Sequence, residues 1–110
     1  MDGSERVVVI LVTVPDERVA IDLARTLVEE HLAACVNVVP GITSLYRWEG
    51  SVRQDGELLL IIKGRSEDVG VIGARVTELH PYDVPEVVAM DVAGGSGSYL
   101  DWIYAETERE

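Results

Sequence analysis

The stretch ACVNVVPGITSLYRWEGSVRQDGELLLIIKGR, residues 34–65, decides the fold. It reads as two β-rich arms on either side of the turn signal Glu49-Gly50. The first arm, Ala34 to Trp48, carries Pro40-Gly41 near its middle, where a missing ladder donor and a freer backbone predict a bend. The second arm, Val52 to Arg65, is its expected hairpin partner. Asp55-Gly56 is also a turn signal, and we read it as a bulge inside one long arm.

Upstream, Arg6 to Val14 is a short β-branched and aliphatic run, the pattern of a strand covered on both faces. Pro15-Asp16 ends it, and a helix is expected from Asp16 to Leu32, with Ala20, Leu23, Ala24, Leu27 and Val28 as its apolar stripe. Downstream, Ser66 can cap a second helix with the stripe Val69, Ile72, Val76 and Leu79, weakened by Gly70 and Gly73. Pro81 and Pro85 bracket a rigid loop, Glu86 to Ala93 reads as a fourth strand, and Ser98 to Asp101 resembles a capping box opening a last helix with Tyr99, Trp102 and Ile103. The order is βαββαβ plus a short C-terminal helix, an α+β chain of the ferredoxin-like kind. Such a sheet leaves one face uncovered, and the arm around Trp48 projects, so subunit contacts are expected.

The chain has 110 residues, room for one domain spanning 1–110, with residues 1–5 expected to be flexible. Its apolar share is high for a lone domain of this size, which again favours an oligomer. Twenty acidic residues against nine basic give a net charge of -11, which opposes nucleic acid and anionic lipid as partners. No apolar run approaches the roughly 20 residues that span a bilayer, so no membrane partner is expected. The acidic start is unlike a secretory signal, and the single cysteine suits a reducing compartment, so a cytoplasmic location is expected.

Common catalytic signatures are absent: no P-loop, no Gly-x-Ser-x-Gly, no His-Glu-x-x-His and no Cys-x-x-Cys. The loop after the first strand, Thr13 to Asp16, has neither the paired cysteines of a copper chaperone nor a cationic anion cradle. The densest cluster is His80-Pro-Tyr-Asp-Val-Pro-Glu86. His80 with Asp83 and Glu86 suits a divalent transition ion; equally, His80 can cap a helix end beside solvated carboxylates. Cys35, four residues after His31, offers a soft ligand or a nucleophile with its base, or else a small buried hydrophobe. Lys63, the only lysine, can meet an anionic ligand or pair with a surface acid. Tyr46, Trp48 and Tyr82 supply aromatic faces for a stacking ligand or a subunit interface.

Taken together, Pro15-Asp16, Leu27 to Glu29, Leu32 to Asn37, Thr43 to Tyr46 with Trp48-Glu49-Gly50, Glu57 with Lys63, His80-Pro81-Tyr82 with Val84-Pro85-Glu86, and Tyr99-Leu100 with Trp102-Ile103 resemble the CutA divalent-cation tolerance family. The resemblance runs from about Val7 to Ala105. It implies a ferredoxin-like fold assembled as a tight homotrimer similar to the PII signalling proteins. It also implies a link to copper and other divalent cations, with no established catalytic reaction. Where members with an assigned copper site carry a cysteine and an extra histidine, this chain has Val12 and Leu79, leaving His80.

Two principal readings follow. The first is a trimer binding copper or another divalent cation through His80, with Asp83, Glu86 or Cys35, the metal not being required for folding. The second is a PII-like module holding a small anionic metabolite against Lys63, with Tyr46, Trp48 and Tyr82 nearby. A third, with Cys35 as nucleophile, is the only enzymatic one.

Overall fold

The computed structural model describes residues 6–109; the expectation for residues 1–5 lies outside them. The elements are β1 (Val7–Val14), α1 (Glu17–Glu29), β2 (Cys35–Trp48), β3 (Ser51–Arg65), a 3-10 turn (Ser66–Asp68), α2 (Val69–Leu79), β4 (Val88–Asp91) and α3 (Gly97–Glu106). The four strands form one sheet in the order β2-β3-β1-β4, every pairing antiparallel. The fold is therefore α+β, with an antiparallel sheet and three helices, as the sequence pattern predicts.

Strand alternation assigns the two faces. Val8, Ile10, Val12 and Val14 of β1, with Leu60 and Ile62 of β3, bury against Ala20, Leu23 and Leu27 of α1 and Ile72 and Val76 of α2. The other face is covered only at one end, where Val7 meets Leu100 and Ile103 of α3. Beyond that end, Val9, Leu11, Leu59 and Ile61 are half-buried, and Val39, Val88 and Met90 are exposed.

Asp16 caps α1, its carboxylate accepting from the Val19 N–H at 2.9 Å. The helix is shorter than its pattern suggests because His31 turns left-handed at φ 59°, and Val28, assigned to the core stripe, is exposed. Leu79 is likewise exposed rather than packed, and Ser66 opens a 3-10 turn without a side-chain cap. The C-terminal helix begins at Gly97, so Ser98 lies inside its first turn and the expected capping box does not form. The fourth strand spans only Val88–Asp91, because Pro85 and its neighbours belong to the preceding loop.

The hairpin closes at Glu49 (φ 49°) and Gly50 (φ 82°), a two-residue turn with both backbones left-handed, which matches the twist of the strands. The irregularity lies in β2 rather than at Asp55-Gly56: Val39 pairs with Leu59, but Ile42 pairs with Glu57. One extra residue at Pro40-Gly41, where Gly41 has φ 74°, shifts the register by one. Asp55 and Gly56 stay in register opposite Ser44 and Thr43. A one-residue slip exchanges the faces of everything beyond it. Val36 and Val38 face the helices, whereas Tyr46 and Trp48 come onto the uncovered face with Glu57, Asp55 and Arg53.

Candidate functional site

A cavity of about 730 Å³ opens where the arm, the end of β1 and the loop after α2 meet. Tyr46, Trp48, Glu57, Tyr82, Asp83 and Glu86 give it its chemistry. Arg53 is the cation in its wall. The bulge delivers the aromatic pair and Glu57 to the same side, and the loop from Pro81 to Glu86 closes the opposite wall.

His80, outside the lining itself, anchors that loop. It is buried, its Nε2 donates to the Thr13 carbonyl at 2.7 Å, and its Nδ1 accepts the Tyr82 N–H at 3.1 Å. These partners fix the tautomer with the proton on Nε2. A metal at either nitrogen would have to displace a backbone partner. The Tyr82 ring tilts against the imidazole, centroids 4.6 Å apart, and its hydroxyl donates to Glu57 Oε2 at 2.9 Å. Burial, then the Glu57 hydrogen bond, pushes the Tyr82 phenol up to about 12. Tyr46 repeats the arrangement, donating to Asp55, and this bond is the main reason its phenol is also raised.

The structure thus brings Tyr46, Trp48, Tyr82, Asp83 and Glu86 together and leaves Lys63 and Cys35 elsewhere. Those two sit opposite one another on β3 and β2, level with Val9, whereas Thr13 beside the cavity lies four residues further along β1, roughly 13 Å at strand rise. The Lys63 ammonium donates to Asn37 Oδ1. His31, the base a nucleophilic Cys35 would need, engages the Glu106 carbonyl through Nδ1 at 2.9 Å. Among the described residues, no three of His, Cys, Asp and Glu stand close enough to hold a metal ion, so a complete protein ligand set for copper or for a hard cation does not assemble within one chain.

Glu57, 8% exposed, gained no chemistry from residue types alone. Its signal is positional: a carboxylate heading the apolar run Leu58 to Ile62, in phase with Leu59 and Ile61 rather than with the helix-facing residues.

Residues 8–106 match the family model for the CutA1 divalent ion tolerance protein. The chain belongs to that family. It is 54% identical over 99 residues to the divalent-cation tolerance protein CutA of Thermus thermophilus, covering 90% of this chain and 96% of the relative. It is 46% identical over 97 residues to Protein CutA of Homo sapiens, covering 88% of this chain but 54% of that longer protein. The crystal structure of CutA1 from Oryza sativa superposes with a TM-score of 0.92 at 45% identity, covering 96% of each chain. This family is named for tolerance of divalent cations. No helix among the described residues is long and apolar enough to cross a membrane.

Proposed function

We propose that this member of the family acts as a cytoplasmic homotrimer in divalent-cation tolerance, with a ferredoxin-like, PII-like architecture, and holds a hard divalent cation in the cavity between the arm and the Tyr82–Glu86 loop. The observation that carries the site is that Glu57, Asp83 and Glu86 line one cavity, while both ring nitrogens of His80 have backbone partners. Oxygen donors suit magnesium or manganese, which are held by one or two carboxylates and keep several waters. With no three of these groups among the described residues close enough to hold an ion together, a bound cation would keep much of its hydration shell.

Copper at His80 and Cys35 is disfavoured by their separation and by the loss of softness with Val12 and Leu79 in place of further ligands. The anionic-metabolite reading loses Lys63 and keeps only Arg53. The engaged His31 argues for a binding protein rather than a thiol enzyme.

Support for the trimer comes from the uncovered sheet face, where half-buried Val9, Leu11, Leu59 and Ile61 adjoin exposed Val88 and Met90 as one apolar surface. Each chain adds a net charge of -11, so assembly concentrates cations around the particle. Native mass spectrometry with Mn(II) tests the reading. The expected result is a trimer with saturable metal uptake that falls in Asp83→Asn/Glu86→Gln. A monomer, or uptake unchanged in that variant, contradicts it.

A further inference from the structure

The loop between α2 and β4 is tied down at one residue. Among the described residues, both hydrogen bonds made by residues 81–86 come from Tyr82, whose N–H donates to His80 Nδ1 at 3.1 Å and whose hydroxyl donates to Glu57 Oε2 at 2.9 Å. Tyr82 to Glu86 form one wall of the cavity, so the polar ties of that wall are these two bonds.

The first of them exists in one protonation state only. Nε2 of the imidazole carries a proton, because its partner, the Thr13 carbonyl, only accepts. Nδ1 must then be bare to receive the Tyr82 N–H. A second proton on the ring goes to Nδ1 and points at another N–H, so proton uptake and the Tyr82 bond exclude one another.

The surroundings offer that proton no other acceptor. His80 is 7% exposed within a single chain, so its contacts are internal and do not depend on how subunits meet. Its backbone is extended, as Pro81 after it requires, and its own N–H donates to the Val76 carbonyl, which holds the main chain in place. Of the ionisable groups on the elements around it, Glu57 of β3 accepts from the Tyr82 hydroxyl, Glu78 of α2 pairs with Arg75, and Asp16 beyond β1 caps α1. Asp83, Glu86 and Arg53 belong to the cavity lining, and among the described residues none of these groups bonds the ring.

We propose that His80 is an acid-sensitive latch: proton uptake at Nδ1 breaks the Tyr82 N–H bond and frees the loop wall of the cavity, and deprotonation closes it again. The latch belongs to the loop itself and operates whether or not the cavity takes a metal ion.

Nuclear magnetic resonance of the full chain tests this, with amide hydrogen exchange and histidine ring protons followed from about pH 8 to about pH 5, the range in which an imidazole ordinarily titrates. Protection of the Tyr82 amide, measured against an unstructured amide at the same pH, should fall by about fivefold, the worth of one ordinary hydrogen bond, along the same curve as the His80 ring protons. His80→Gln keeps an acceptor and a donor on one planar group and takes up no proton in this range, so its Tyr82 protection should stay constant. A ring that titrates while the amide is unmoved overturns the proposal, as does a ring that takes up no proton while the chain stays folded. An equal loss of protection in His80→Gln also overturns it, by assigning the response to another group. Where that variant does not fold, the wild-type comparison of ring and amide decides alone.

Discussion

Tyr82 donates its phenolic hydrogen to Glu57 Oε2 at 2.9 Å, which ties the loop after α2 to the strand at the base of the arm. The bond links residues 25 apart in sequence and joins two residues that line the cavity. Burial of the phenol, with this bond second, also sets a pH response. With the folded-state phenol at about 12 against an ordinary 10, the contribution to stability is fully present below pH 10 and is lost as pH rises towards 12. Tyrosinate absorbance at alkaline pH should therefore show a late-titrating component, and that component should be missing in Tyr82→Phe. A Tyr82→Phe profile identical to wild type would contradict the assignment.

His80 is a structural knot before it is a ligand. Replacing it with alanine leaves the Thr13 carbonyl and the Tyr82 N–H unpaired beside a small void, which should destabilise the fold by about 2–4 kcal/mol. Urea unfolding measures this. A loss below 1 kcal/mol would mean that the ring is not held as described.

The uncovered sheet face predicts assembly. Leu11 and Ile61 face each other across β1 and β3 at its centre. If this face is the contact of the proposed trimer, Leu11→Glu places a charge in its middle and should shift the protein to monomer in sedimentation velocity. Persistence of an unchanged trimer would move the interface elsewhere.

Near the C-terminus, Arg109 makes a two-pronged pair with Asp68, at 2.8 and 3.0 Å, and also donates to the His31 carbonyl at 2.9 Å. The Asp68 side chain is 10% exposed, so breaking the pair leaves a buried carboxylate uncompensated. Arg109→Ala should cost about 2 kcal/mol in chemical denaturation, and a loss within 0.5 kcal/mol of zero would show that the pair is a solvated surface contact.

Much of this architecture is legible in the residue pattern. The βαββαβ order, the hairpin turn at Glu49-Gly50 and the exposed sheet face follow from periodicity and turn chemistry. The bulge is harder to place, because Pro40-Gly41 and Asp55-Gly56 are comparable local signals and only cross-strand register decides between them. That choice matters for the site, since the shift at Pro40-Gly41 brings Tyr46 and Trp48 to the side of Glu57. Residue type alone nominates His80, Cys35 and Lys63 for chemistry, but hydrogen bonding engages His80 and Lys63, and strand register sets Cys35 apart from the cavity. Val28 and Leu79 fit a helical stripe yet lie at its exposed margin, a distinction that depends on where the sheet ends.

The proposed cation site is the carboxylate-lined cavity and not the imidazole. The most direct test is calorimetric titration of Mn(II) into wild type, Asp83→Asn/Glu86→Gln and His80→Ala, each first verified as folded and assembled. The account predicts affinity at least about tenfold weaker in the double carboxylate variant, the scale of losing charged ligands from a hard-ion site, with a smaller loss in His80→Ala. Binding unchanged without the carboxylates and abolished without His80 would contradict it.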